Sequence, residues 1–331
     1  MIKRRMLLLI ILLFTLCCSM ILSVSFGTKS IQIEDILGAF GIGDVTTFGS
    51  EVVRARIPRT VFGVLAGAAL AVSGGMMQSI TRNPIADPSI LGVNSGASLF
   101  VVCGIAFLHV NNNITMIWLA FVGATLTAFC VYGLASIGYS GATPLKLALA
   151  GAAAGTALQS MVNTVMMPDT QVMNQFRFWQ TGSIGGATWN DIYTMLPFLT
   201  VGFGLSLMLS PALNTLALGD DMAVSLGINV FAVRLLGTLA GVLLCSATTA
   251  LAGPIGFVGL MVPHLIRAVL GPDVRWVLPL SALAGAGLLI LADVLGRLFG
   301  RPGELEVGIV TAILGAPVFV AIVRKVKVST L

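Results

Sequence analysis

From Met6 to Phe26 the chain carries no charged residue. A run of about 20 predominantly apolar residues crosses a bilayer as a helix. Comparable stretches recur near 60–80, 90–109, 114–137, 145–167, 192–210, 231–251 and 277–296, with shorter ones at 257–270 and 306–323. This recurrence restricts the fold to an all-α polytopic membrane protein with about ten transmembrane helices in a single domain, 1–331. Charge scarcity excludes the soluble alternative: 9% of residues are charged, against about 25% in soluble domains.

The first stretch follows Met-Ile-Lys-Arg-Arg. A cleaved signal would have a shorter apolar core and a small-residue cleavage site, so a retained first helix is expected. The five cysteines sit in apolar stretches without a Cys-x-x-Cys pair, so neither metal nor disulfide chemistry is expected. Two separated histidines, His109 and His264, provide no cluster for a membrane enzyme. Net charge of +5 fits membrane topology and implies no nucleic acid.

Ten spans put both termini on one side. With the termini inside, eleven lysines and arginines fall inside and seven outside, the direction set by the positive-inside rule. Four of the outside charges lie in one long loop, 27–59. Asn83-Pro-Ile-Ala-Asp-Pro88 then reads as a cytoplasmic hairpin, since proline disfavours helix for itself and for its predecessor. Small-residue clusters at Gly67-Ala-Ala, Gly151-Ala-Ala-Ala-Gly155 and Ala284-Gly-Ala-Gly287 are suited to close helix packing. Gly63-Val-Leu-Ala-Gly67 echoes Gly237-Thr-Leu-Ala-Gly241, and Asn83-Pro-Ile-Ala echoes Gly253-Pro-Ile-Gly256. The two halves run in opposite directions, which is the pattern of an inverted repeat.

Three groups of residues stand out. Pro211-Ala-Leu-Asn-Thr-Leu-Ala217 and Met222-Ala-Val-Ser-Leu-Gly227 read as two short cytoplasmic helices within segment 211–228. Asp220 or Asp221 would cap the second helix and Gly227 would end it. Leu218, Met222, Ala223 and Leu226 would form an exposed apolar patch, which calls for a partner. Arg56, Arg59 and Arg297 together would form a positive ring at the outer mouth, with Asp293 holding Arg297 in an i,i+4 pair. Gln159, Asn163, Met166 and Met167 would line a neutral passage, with Ser140 and Thr143 before it. No carboxylate or lysine lies at an expected midplane, which argues against an ion-coupled carrier.

In order and spacing, several motifs resemble the iron-chelate (siderophore/haem) and vitamin B12 ABC importer permease family, over nearly the whole chain from about Arg54. They are Arg56-Ile-Pro-Arg59, Gly67-Ala-Ala-Leu-Ala-Val-Ser-Gly74, Asn83–Pro88 with Leu91-Gly-Val, Leu218-Gly-Asp-Asp-Met-Ala-Val-Ser-Leu-Gly227, Gly256–Arg267, and Gly303-Glu-Leu-Glu-Val-Gly308 with Gly315-Ala-Pro317. Glu306 stands where the family usually has proline.

The resemblance implies a type II importer permease in a bacterial cell membrane, translocating cargo by ATP-driven alternating access. The cargo ranks as iron–siderophore first, haem and cobalamin behind. Residues 218–227 (Leu218, Gly219, Asp220, Asp221, Met222, Ala223, Leu226 and Gly227 among them) would be a coupling helix seated on an ATPase. Arg56, Arg59 and Arg297 would dock an extracellular or periplasmic binding protein. The hairpin at Ser140–Thr143 would be a cytoplasmic gate. The permease would pair with a copy or a paralogue and with two ATPase subunits. It would bind no cofactor itself, since it lacks a Gly-x-x-x-x-Gly-Lys-Ser/Thr loop; ATP and Mg would belong to the ATPase.

Overall fold

The computed structural model describes residues 2–27, 31–39, 41, 47–110, 112–138 and 143–325, and the described residues form an all-α bundle. The helices are α1 (Ile2–Ser25), α2 (Ile33–Ala39), α3 (Phe48–Thr81), α4 (Val93–Leu108), α5 (Asn113–Ser136), α6 (Pro144–Met166) and α7 (Thr170–Gln180), followed by α8 (Trp189–Leu216), α9 (Asp220–Ser225), α10 (Val230–Ala252), α11 (Val258–Leu270), α12 (Val274–Phe299) and α13 (Val307–Lys325). Seven are long and apolar enough to cross a membrane, and α4, α11 and α13 are shorter apolar helices.

The centre of the bundle is α3: 78% of its apolar window is buried, against 11% for α1 and 17% for α6. Its glycines explain this. A Cβ on Gly67 would collide with the Gly285 carbonyl of α12, and one on Gly74 with the Gly259 carbonyl of α11. Lipid supplies no hydrophobic force between helices, so such backbone contact and interhelical hydrogen bonds hold them together. Ser73 Oγ adds one such bond, donating to the Gly241 carbonyl of α10 at 2.5 Å.

Sequence and structure part in three places. The expected loop 27–59 contains α2 and the first turns of α3, so Arg54, Arg56 and Arg59 are helical residues and not loop charges. Thr47 caps α3 by accepting from the Ser50 amide. The expected short helix at 211–217 does not exist separately; α8 runs through Pro211 to Leu216. An amphipathic helix, α7, follows α6 without having been expected; Asp169 caps it and its own Val172 and Phe176 are buried.

The Asn83–Pro88 stretch is not a simple surface hairpin. Arg82 pairs with Asp220, which also pairs with Arg234 near the start of α10. Yet Asn94, at the start of α4, accepts from Thr249 near the far end of α10. Arg234 and Thr249 are separated by roughly 22 Å at ~1.5 Å per helical residue. The chain between residues 82 and 94 therefore re-enters the bundle. It rises through a 3₁₀ turn, Pro88–Leu91, capped by Asp87, whose carboxylate accepts from the Ser89 amide at 2.9 Å. Helix α4 spans only about 24 Å and α11 about 20 Å, each shorter than the ~30 Å hydrocarbon core. In both halves a long helix is followed by irregular backbone and a short helix: α3, 82–92, α4, and α10, 253–257, α11. The two echoing Pro-Ile stretches occupy these corresponding breaks.

Candidate functional site

One wall of the molecule is hollowed into an open cleft of about 630 Å³. On α6 it is lined by Ala148, Gly151, Ala152, Gly155, Thr156, Gln159, Ser160 and Asn163, a stripe at three- and four-residue spacing on one helix face. Across from it stand Ser89 and Ile90 of the re-entrant segment and Ser95 of α4. Gly151 allows this approach, since a Cβ there would run into the Ile90 carbonyl. Non-helical backbone at membrane depth is tolerated where it is buried in protein or lines a cavity, and both conditions are met here.

The cleft mixes small apolar residues with neutral polar ones, and none of its lining residues is ionisable. Thr156 and Ser160 hydroxyls donate to the carbonyls of Ala152 and Thr156, at 2.8 and 3.0 Å. Gln159 Nε2 donates to Asn163 Oδ1 at 3.3 Å. With these demands already met internally, the wall presents neutral dipoles and offers no tight charged site. Gln159 and Asn163, expected on a passage, both line this cleft. Met166 is not among the lining residues and lies half-buried against the core. Met167 is exposed at the end of α6. Thr143 is the N-cap of α6, accepting from the Lys146 amide, and Ser140 lies outside the described residues. The contributions of Ser89, Ile90 and Ser95 went unread, although the small polar residues of that stretch are the signal that carried them.

At one end of the bundle, α9 presents a small exposed apolar surface. Leu218, Met222, Val224 and Leu226 are each more than half exposed. Ala223, expected among them, is 0% exposed: a six-residue helix turns one side inward, and Ala223 lies on that side. Asp220 and Asp221 are not caps. Gly219 occupies the N-cap with φ 118° and no side-chain bond, leaving Asp220 in the first turn to pair with Arg82 and, at 3.0 Å, with Arg234. Gly227, with φ 80°, ends the helix as expected. Helix α9 is thereby tied to the last turn of α3 and the first of α10.

At the opposite end, the positive ring turns inward. Arg297 is 1% exposed and Arg56 is 7% exposed. Arg297 donates to the Ser23 and Phe26 carbonyls, both at 2.9 Å, and to Ser23 Oγ. Arg56 donates to the carbonyls of Val24 and Ser25, and Arg301 to that of Gly27. The last carbonyls of a helix lack intrahelical partners, and these arginines supply them for α1. Neither Arg56 nor Arg297 is an exposed charge in this chain. The expected Asp293–Arg297 pair is present at 2.9 Å. Arg59 grips Asp293 through Nε and Nη2 and binds Glu304 at 2.8 Å. Glu304 and Arg301 are the charged groups of this network that reach the surface.

Residues 11–325 match the FecCD transport family. The chain is 44% identical over 304 residues to the Fe(3+)-citrate import system permease protein YfmD of Bacillus subtilis (strain 168), covering 92% of this chain and 90% of that one. It is 40% identical to the ferric enterobactin transport system permease protein FepD of Escherichia coli (strain K12), covering 95% and 94%. It is 38% identical to the cobalamin import system permease protein BtuC of Halobacterium salinarum, covering 83% and 74%. Among solved structures, an inward-facing metal-chelate type ABC transporter superposes with a TM-score of 0.82 at 27% identity, covering 97% and 100%.

Proposed function

The chain belongs to the FecCD transport family, and from that premise we propose that it is the membrane-spanning permease subunit of an ABC importer carrying a ferric chelate inward, iron–siderophore foremost. The observation that carries this reading is the cleft: wide, uncharged, lined by small and neutral polar residues, and open to the exterior. A large chelated cargo can pass along such a wall without being trapped by a strong site.

The open side calls for a second permease. Only 17% of the α6 window is buried, and Thr156, Ser160, Asn163 and Thr164 are exposed along it. Polar residues facing lipid are costly, and within membrane spans they turn toward the bundle interior or a water-filled cavity. A copy or paralogue facing this stripe closes the passage, with Gln159 and Asn163 from each side on its wall.

The chain works as a transport subunit and takes its energy from outside. The exposed residues of α9 fit a cleft on a cytoplasmic ATPase, and this end is therefore the inner face, with both termini inside the bacterial membrane. The Arg82–Asp220–Arg234 contacts pass movement of α9 directly to α3 and α10, and thence to the re-entrant segment on the cleft. At the outer face, Arg301 offers the accessible positive group for a substrate-binding protein, with Arg59 held by Asp293 and Glu304. Arg56 and Arg297 hold the end of α1 beneath them. Such charges set register and encounter rate more than affinity.

Co-reconstitution of the permease with its ATPase and binding protein in liposomes tests the reading: ferric-siderophore uptake should require ATP. Uptake that persists without ATP and collapses with an uncoupler would identify an ion-coupled carrier instead and overturn it.

A further inference from the structure

A second, smaller cleft of about 230 Å³ opens at the α9 end of the bundle, between α3, α8 and α12, with α11 as its floor. Its polar lining is Gln78, Ser79, Arg82 and Arg267, with Ala217 and Pro272 at its rim. It is separate from the α6 wall and shares no lining residue with it.

The guanidinium of Arg267 is held by neutral groups. Its Nη1 donates to Gln78 Oε1 at 3.0 Å, and its Nη2 to the Gly75 carbonyl at 3.0 Å and Ser79 Oγ at 2.7 Å. Gln78 is oriented for this role, since its Nε2 donates to the Leu260 carbonyl at 3.0 Å. Among the described residues no carboxylate pairs with Arg267, and its Nε makes no hydrogen bond. The nearby acids are already shared. Asp220 serves both Arg82 and Arg234. Asp273, beside the lining residue Val274, serves Arg5, Arg275 and Asn214. Among the described residues, Arg5, Arg82, Arg234 and Arg275 thus share Asp220 and Asp273 as their ion-pair partners, and Arg267 pairs with neither.

A partly buried arginine without a counter-ion carries a desolvation cost that an anion would offset. Nη2 already serves two acceptors, so the donors left on Arg267 are Nε–H and one Nη1–H; the several oxygens of a phosphate can accept from these and from Arg82 as charge-assisted bonds, which a monatomic ion matches less well. At ~30 Å³ of liquid volume per water, the cleft of about 230 Å³ holds about eight waters, enough for a phosphate group with its first ester carbons. We propose that this cleft binds a phosphate anion between Arg267 and Arg82, supplied by a phospholipid headgroup of the adjacent leaflet or by free phosphate. Occupancy would neutralise Arg267 and brace the end of α3 where Arg82 meets α9.

The full-length chain, purified in mild detergent, is tested by native mass spectrometry and thermal unfolding with three probes. These are phosphatidylglycerol, diacylglycerol with the same acyl chains, and inorganic phosphate. Retention of phosphatidylglycerol at least about tenfold above diacylglycerol identifies the lipid as the source. A rise in unfolding midpoint with inorganic phosphate, without lipid preference, identifies the free anion; either result supports the site. The supporting ligand should be lost about tenfold in Arg267→Gln. It should be lost equally in Ala217→Glu, which places a like charge at an exposed rim position and leaves the Arg267 contacts intact. Arg177→Gln, on α7, should change nothing. No preference for phosphatidylglycerol together with no response to phosphate, or undiminished binding in either cleft variant, overturns the proposal.

Discussion

Arg297→Ala separates a supporting role for this side chain from a docking role. Arg297 makes three hydrogen bonds to the end of α1 and one ion pair to Asp293, all within a site 1% exposed. Interhelical polar contacts in membrane proteins average about 0.6 kcal/mol, so four of them sum to about 2.4 kcal/mol. Removing one partner of a buried ion pair costs about 3–5 kcal/mol where the other is left uncompensated. Here Asp293 keeps Arg59, which favours the lower end. The variant should therefore lose about 2–4 kcal/mol of stability, measured by denaturant unfolding in nanodiscs. Labelling of a Ser25→Cys reporter should rise as the end of α1 comes loose. Arg301→Ala, at an exposed position with one bond to α1, should cost under ~1 kcal/mol. An Arg297→Ala protein within ~0.5 kcal/mol of wild type, with labelling unchanged and binding-protein association lost, would refute the supporting role and restore Arg297 as a docking contact.

Three further outcomes are expected. Met222→Asp with Leu226→Asp, at exposed positions, should leave unfolding within ~0.5 kcal/mol of wild type while ATPase association and ATP-driven uptake fall more than tenfold; Ala223→Trp, at a fully buried position, should instead cost about 1–3 kcal/mol by overpacking. Gly155→Leu, where a Cβ meets only ordinary contact with Ser95, should narrow the cleft and cut uptake with ATPase activity retained, whereas Gly151→Ala, against the Ile90 carbonyl, should destabilise the protein. At Asp273, partial burial pushes the carboxyl up, but bonds from Asn214 and Arg275 outweigh it and hold the value below the ordinary 3.8. A depressed carboxylate contributes stability above its unfolded value that is lost as pH falls through the folded one, so the melting difference between wild type and Asp273→Asn should be full at neutral pH and shrink below 3.8.

Much of the bundle is legible from uncharged runs alone, because a bilayer demands a fixed apolar length. What escapes that reading follows from the same physics. Arg54, Arg56 and Arg59 lower the local hydropathy, so the first turns of α3 look like loop, although buried Arg56 is satisfied by α1. Pro211 resembles a helix start and instead lies within α8, because a proline can be accommodated where neighbours satisfy the freed carbonyl. The exposed side of a helix as short as α9 cannot be read from so few residues, which is why Ala223 was misplaced and Val224 overlooked. The cleft was half legible: Gln159 and Asn163 are polar residues in an apolar span, whereas Ser89 and Ser95 reach it only because the chain re-enters the bundle.

The arginine caps on α1 also bear on the order in which the protein is completed. Ser23 and its partner Arg297 lie 274 residues apart, so a helix made long before α12 waits for it to be finished. Until α12 is in place, the carbonyls from Ser23 to Phe26 must be satisfied by water or lipid headgroups, which keeps this end of α1 at the membrane surface. Chains halted before Arg297 should therefore carry an α1 that is inserted but unanchored, open to quality-control proteases at an end that the finished protein closes late.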